Sequence, residues 1–282
     1  MLLVEASLAL RRSGRSLADL VGVRVGLGLS GRIRPVWHGR ALAALDRDPT
    51  RDWPVRCEPA GLARLRHPDR RAQWLTGRLC LQDLVLADDL LTAIRPQLAR
   101  CEEGDPEDVG RPLVVDDQGR LVAEVSVSHC RDYSVALLSR SRCSVDLEPR
   151  VTLDAVAAAS LFDTEERRLV TTALATADAK DRPTIYWTLV ECLGKLLGRP
   201  SFGRARFRLL ARQPGDPADL LRFGSPVPEE EQRRRVRVDV TVFSGHVISA
   251  ATTDASVHPD LWGSPSDPLN TERSRHATPC RS

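Results

Sequence analysis

Apolar positions along this chain repeat with two different periods, and the switches between them mark its elements. Ile33 to Trp37 reads as a strand and Arg40 to Leu45 as a short helix. Over residues 59 to 93, Leu62, Leu65, Trp74, Leu75, Leu79, Leu84 and Leu86 form the apolar face of a largely helical stretch. Acids, glycine and proline from Glu102 to Pro112 then make a loop. Two strands follow, Pro112 to Val115 and Leu121 to Val127, separated by the turn Asp116-Asp117-Gln118-Gly119. Tyr133 to Leu138 and Cys143 to Leu147 are two more.

The second half repeats that plan. Helices near 153–159, 163–175 and 182–197 precede strands near 204–211, 236–243 and 246–253. Gln213 to Arg235, rich in proline and charge, reads as an exposed loop. Residues 1–30 have no clear period and read as an irregular extension. Ser, Pro, Asp and Arg dominate residues 255–282, which read as a disordered tail. Helices followed by strands, twice over, predict an α+β protein of two similar subdomains, residues 31–140 and 141–254.

At 282 residues, with 42% hydrophobic and 28% charged, the chain has material for a sizeable core. No run approaches the ~20 apolar residues of a membrane span. The apolar start, Met1 to Leu10, has its arginines after it, the wrong polarity for a secretory signal. The expected address is the cytoplasm, with no membrane partner. Cys57, Cys80, Cys101, Cys130, Cys143, Cys192 and Cys280 form no C-x-x-C pair and read as reduced thiols. A formal charge of +3 is too mild to argue for nucleic acid. Of 41 basic residues only Lys180 and Lys195 are lysines. In so arginine-biased a chain, Lys195 points to a need for a compact ammonium.

Two short acidic segments carry the candidate chemistry. In Ser144-Val145-Asp146-Leu147-Glu148, a strand puts Asp146 and Glu148 on one face. Hard oxygen ligands there suit Mg²⁺, which takes few carboxylates and completes its shell with phosphate and water. A solvated strand end would explain an isolated D-x-E equally simply. In Trp187-Thr188-Leu189-Val190-Glu191-Cys192-Leu193-Gly194-Lys195, Trp187, Glu191 and Lys195 lie one helical turn apart on a single stripe. A Glu-to-Lys pair of that spacing is usually an exposed surface pair. Here its neighbours are apolar nearly all round, which predicts a helix buried on most sides and a purpose for its charges.

Ser128-His129-Cys130 closes one of the strands, where a histidine and a hydroxyl suit phosphate oxygens. Arg70 and Arg78, on one side of a helix, are candidate clamps for a second phosphate, or else an ordinary arginine-rich face. Gly26-Leu27-Gly28-Leu29-Ser30-Gly31 matches G-x-G-x-x-G after the strand-like Val21 to Val25. A dinucleotide site needs a helix starting inside that motif. The strand-like Arg32 to Trp37 follows instead, with a proline, so a nicotinamide-dependent enzyme is the weakest reading.

Taken in order, these segments resemble the Sfp-type 4′-phosphopantetheinyl transferases. Arg70-Arg71-Ala72-Gln73-Trp74-Leu75-Thr76-Gly77-Arg78 resembles the family's "RR…(W/F)L.GR", and Gly110-Arg111-Pro112 its "G(K/R)P". Val127-Ser128-His129-Cys130 with Tyr133 is similar to "(S/T)H(S/C)…Y". Val145 to Pro149 is similar to "G(I/V)D(I/L)E", with Ser144 replacing the glycine. Phe162 to Glu166 resembles the "F…E" helix start, and Trp187 to Lys195 the "W…KE…K". The likeness runs from about residue 33 to 253. Each motif is loose, but six in order are specific.

The resemblance implies two pseudo-twofold-related subdomains with the active site, coenzyme A and Mg²⁺ in the cleft between them. It implies transfer of 4′-phosphopantetheine from coenzyme A to a serine of an apo acyl or peptidyl carrier protein, releasing adenosine 3′,5′-bisphosphate. By position, Asp146, Glu148 and Glu191 would hold Mg²⁺, and Glu191 would act as base on the serine. Lys195 would neutralise the leaving phosphate, and Ser128 and His129 would bind the pyrophosphate or the adjacent phosphate. Arg70 and Arg78 would hold the 3′-phosphate, with Arg111 near the adenine end. The family's lysine before the glutamate is Val190 here, which removes a positive charge near the phosphates. An active enzyme is expected because Glu191 and Lys195 remain; a relative that binds coenzyme A or a carrier protein without transfer is the alternative. The two-subdomain pattern fits a monomer.

Overall fold

Pro68 opens the longest helix of the described residues, α1 (Pro68–Leu86). Proline suits a first helical position because its missing N–H had no helical partner to lose. Just ahead, the His67 side chain accepts a hydrogen bond from the Asp69 N–H at 3.3 Å and satisfies one donor the helix start leaves open. This is a computed structural model, and it describes residues 3–12, 23–25, 29–36, 65–87, 97–101, 111–150, 161–162, 164–197, 209–210, 220–223, 233–243, 245–253 and 277–279. Its strands are, in chain order, β1 (Leu3–Arg12), β2 (Val23–Val25), β3 (Leu29–Pro35), β4 (Gln97–Cys101), β5 (Pro112–Val115), β6 (Leu121–His129), β7 (Tyr133–Ser139), β8 (Cys143–Pro149), β9 (Leu209–Leu210), β10 (Leu220–Phe223), β11 (Arg233–Phe243), β12 (His246–Thr253) and β13 (Ala277–Pro279). Among the described residues, two further helices are α2 (Thr164–Ala173) and α3 (Arg182–Leu196). The protein is α+β, its sheets largely antiparallel.

The chain divides into two units, residues 18–143 with 259–282, and residues 1–17 with 144–258. In the first, seven strands run in the order β13-β4-β5-β6-β7-β3-β2. One face of α1 covers this sheet, burying Cys80, Leu81, Leu84 and Val85 with Val114, Ala123, Val125, Ala136 and Leu138. A Cβ placed on Gly77 would stand 2.7 Å from Cγ1 of Val127, so only glycine lets the helix come this close to β6. The turn from β5 to β6 is tied by Asp116, whose carboxylate accepts from the Gln118 and Arg120 N–H groups, each at 2.9 Å. Burial alone would raise the Asp116 pKa, but these bonds and the Arg120 guanidinium outweigh it and hold the pKa below its ordinary value. Gly119, at φ 79°, adopts the left-handed conformation that the turn requires.

In the second unit, six strands run in the order β8-β12-β11-β1-β10-β9. β11 alternates, and its inward residues Val236, Val238 and Val240 meet Leu189, Leu193 and Leu196 of α3 and Val170 of α2 in one core. Each such buried side chain contributes about 1.5–3 kcal/mol to folding. Asp181 precedes α3 but does not cap it with its side chain. Its carboxylate instead accepts from Arg150 Nε at 2.6 Å, while the Arg150 N–H donates to the Gly245 carbonyl at 2.7 Å. The far end of β8 is thereby tied both to the start of α3 and to the β11–β12 hairpin.

The sequence places most of these elements within a few residues, with differences in residues 1–30, in the 213–235 stretch, and in the tail and the strand it pairs with. Residues 1–30 contain β1 and β2, and β1 runs parallel to β11 and antiparallel to β10. β10 and the first residues of β11 fall inside the stretch 213–235 expected as loop. β13, in the expected tail, pairs with β4, a strand that the periodicity leaves unassigned. Residues 29–31 of the glycine motif are strand paired with β7, so no helix starts there as a dinucleotide site demands. The expected helices at 40–45 and 153–159 and most of the 102–112 loop lie outside the described residues. No helix among the described residues is long and apolar enough to cross a membrane.

Candidate functional site

On β8 the pleat sends Ser144, Asp146 and Glu148 to one side, and all three make polar contacts with α3. Ser144 Oγ lies 3.2 Å from Cys192 Sγ, and the Cys192 thiol also approaches the Ser144 carbonyl at 3.6 Å. Oδ1 of Asp146 accepts from Lys195 Nζ at 2.7 Å, and the same ammonium donates to the Val145 carbonyl at 3.2 Å. Glu148 Oε1 accepts from the Trp187 indole N–H at 3.2 Å. The alternate residues, Val145 and Leu147, are fully buried.

The helix explains this geometry. Ile185, Tyr186, Thr188, Leu189, Val190, Cys192, Leu193, Gly194 and Leu196 of α3 are buried. Trp187, Glu191 and Lys195 are half-buried, at a spacing of one turn, so a single stripe of an otherwise enclosed helix reaches partly to water. Trp187 and Lys195 each hold one strand carboxylate. Glu191 lies between them and has no hydrogen bond or ion pair with a described residue. Lys195, in the last turn, also complements the negative end of the helix.

Charge is crowded here. Desolvation, and then the Asp146 carboxylate, raise the Glu148 pKa to about 7; Glu191 adds to the rise, while the Trp187 hydrogen bond and Lys195 oppose it. Two of the carboxylates singled out in the sequence, Asp146 and Glu191, therefore act on the third, Glu148. They do not form a finished cage: among the described residues no group of three or more His, Cys, Asp and Glu side chains could hold a metal ion. The donor chemistry nevertheless fits Mg²⁺, which is usually held by one or two carboxylates and filled out by substrate phosphate and water.

The remaining sequence candidates belong to the other unit. Ser128 is buried on β6 and His129 is half-buried at its end, paired in register with Val135 and Ser134. Arg70 is exposed in the first turn of α1. Arg78, two turns on, stacks its guanidinium over the Trp74 ring with 4.7 Å to the centroid. Arg111 has an acidic partner instead of an open position. Its side chain, 10% exposed, lies 3.5 Å from Glu124, 4% exposed, whose carboxylate also accepts from the Cys143 N–H at 3.4 Å. Trp187 as a carboxylate donor and the Ser144–Cys192 contact were missed in the sequence. The first had a signal, since Trp187 lies on the Glu191 and Lys195 stripe.

The chain matches no protein-family model, and a search of curated proteins returns no match.

Proposed function

We propose that this protein is a Mg²⁺-dependent 4′-phosphopantetheinyl transferase of the Sfp type, taking coenzyme A and an apo acyl or peptidyl carrier protein as substrates. The observation that carries the reading is the meeting of β8 and α3, where Asp146, Glu148, Glu191 and Lys195 are gathered from two distant segments. Those four residues are among the ones the motif resemblance singles out for metal and phosphate work. The two units would be the two subdomains of that fold.

Asp146, Glu148 and Glu191 are the side chains that the resemblance assigns to the cation; one or two of them would hold it, in a shell completed by the diphosphate of coenzyme A and water. When bound, Mg²⁺ supplies charge neutralisation on the diphosphate oxygens. Glu191 accepts the proton of the carrier serine, a role open to a half-buried carboxylate with no hydrogen bond to a described residue. General base catalysis of this kind contributes about 10²–10⁴-fold. The serine oxygen forms the new bond to phosphorus, the diphosphate P–O bond breaks, and adenosine 3′,5′-bisphosphate leaves. Lys195 offsets the negative charge that gathers on the leaving phosphate. Arg70, Arg78, Ser128 and His129 are proposed to bind the phosphates of coenzyme A. Arg111, already paired with Glu124, is the weakest member of that set.

The test is an intact-mass assay with purified protein, Mg²⁺, coenzyme A and a panel of apo carrier proteins. The expected result is a gain of one phosphopantetheinyl group on a carrier serine, abolished by Glu191→Gln with folding unchanged. If no carrier gains mass while calorimetry shows coenzyme A binding, the protein is a binder and not a transferase.

A further inference from the structure

We infer that Trp187 is a positioning residue, whose indole N–H fixes one oxygen of Glu148 so that the other is presented to the cation. This deepens the proposed function and rests on it. Among the described residues Trp187 is the one hydrogen-bond donor to Glu148, and the contact falls on Oε1 at 3.2 Å. A carboxylate held by one oxygen keeps its plane and offers the second as a single ligand. Mg²⁺ demands near-octahedral geometry and favours such a ligand over a two-oxygen grip.

The placement argues for more than packing. Buried indoles commonly find a partner for their N–H, and any backbone carbonyl would serve that need. This one is aimed at a carboxylate of the site, from the stripe that also carries Glu191 and Lys195. Lys195 does the same for Asp146, at 2.7 Å. Each strand carboxylate is therefore held by one helix side chain, one turn before or after Glu191. The residue between the two clamps is the one left to accept a proton.

The experiment is Mn²⁺ binding by electron paramagnetic resonance, on the full chain saturated with coenzyme A and corrected for Mn²⁺ held by coenzyme A alone. Trp187→Phe keeps a ring in place and removes only the donor. It should weaken Mn²⁺ binding by roughly 10-fold or more, as loss of a partner that orients a metal ligand generally does. Glu148→Gln should weaken it at least as much, and the double variant no further than Glu148→Gln alone. Wild-type affinity in Trp187→Phe, or losses that add in the double variant, overturns the role of Trp187 while leaving the metal site standing. Absence of protein-dependent Mn²⁺ binding in the wild type overturns the functional reading and this inference together. Should Trp187→Phe not fold, the indole N–H resonances of the wild type carry the test. The resonance that moves in Glu148→Gln should also move when Mg²⁺ is added, and a resonance unmoved by Mg²⁺ overturns the proposal.

Discussion

The Lys195 ammonium stands 2.7 Å from Oδ1 of Asp146, joining the last turn of α3 to the middle of β8. The two partners are unequally placed, with 36% of the lysine side chain exposed against 4% of the aspartate. Broken, the pair leaves a lysine that regains water and a carboxylate that does not. Lys195→Met should therefore destabilise the protein by about 2 kcal/mol in urea unfolding, short of the 3–5 kcal/mol typical of fully buried pairs. Asp146→Asn should cost about 1 kcal/mol, since it leaves no buried charge. Their double variant should be more stable than the sum of losses predicts. Strict additivity would mean that the two groups do not interact in solution.

Val190 stands where the motif that this segment resembles has a lysine, and it is buried at 5% exposure within the α3 core. It belongs to the same buried core as Val236, Val238 and Val240 and lies off the polar stripe of Trp187, Glu191 and Lys195. Introducing the motif's lysine should then do harm. Val190→Lys buries an unpaired charge and is expected to lose about 3 kcal/mol or more, with no gain in transfer activity. Thermal melting and the carrier-protein assay read the two effects separately. A stable and more active Val190→Lys would show that this position faces the substrate.

Ser144, standing where the resembled motif has glycine, is also accounted for by its contacts. It is fully buried, and its hydroxyl meets the Cys192 thiol across the β8–α3 seam. Burial pushes the Cys192 thiol up to about 12, although the Ser144 hydrogen bond opposes the rise. A thiol so placed has almost no thiolate at neutral pH and no access to reagent. Cys192 should remain unlabelled by a thiol reagent in the native protein at pH 8 and label fully in denaturant, as mapped by mass spectrometry. Ser144→Ala should cost about 1 kcal/mol without exposing the thiol.

Local signals in the sequence carried β5 to β8, α3 and the polar faces that meet at the β8–α3 seam. The period of two in Asp146 and Glu148 and the period of one turn in Trp187, Glu191 and Lys195 each fix a shared face, independent of anything distant. What joins those faces is long-range and leaves no mark on either segment. The Ser144–Cys192 contact links residues 48 apart, and Lys195 reaches Asp146 across 49. The pairing of β1 failed to register for a related reason. Val4, Ala6, Leu8 and Leu10 do alternate with Glu5, Ser7 and Arg11, but Ala9 and the short polar side chain of Ser7 blur the pattern. Its partner β11 lies at the opposite end of the chain, where no local periodicity could reveal a parallel neighbour. Arg111 shows the converse limit. Sequence places an arginine before a proline, and only the fold reveals that Glu124 holds it.

Glu148 gives the protein a pH dependence whose direction follows from its surroundings. Its pKa stands near 7 in the folded chain against an ordinary 4.5, chiefly through desolvation and then the Asp146 charge. Between those values the folded protein retains a proton that the unfolded chain has released. Unfolding then gives up a proton, so raising the pH favours it, and stability contributed by this group declines from about pH 4.5 to 7 and levels off above. Glu148→Gln removes the titration. The urea stability of wild type minus that of Glu148→Gln should fall steadily across this window and become flat beyond it. Adding millimolar Mg²⁺ with coenzyme A should reduce the decline, because a bound cation favours the ionised carboxylate in the folded state and lowers its pKa. A difference that rises with pH would mean that Glu148 is better stabilised as an anion than its neighbours allow, and that Asp146 and Glu191 do not crowd it.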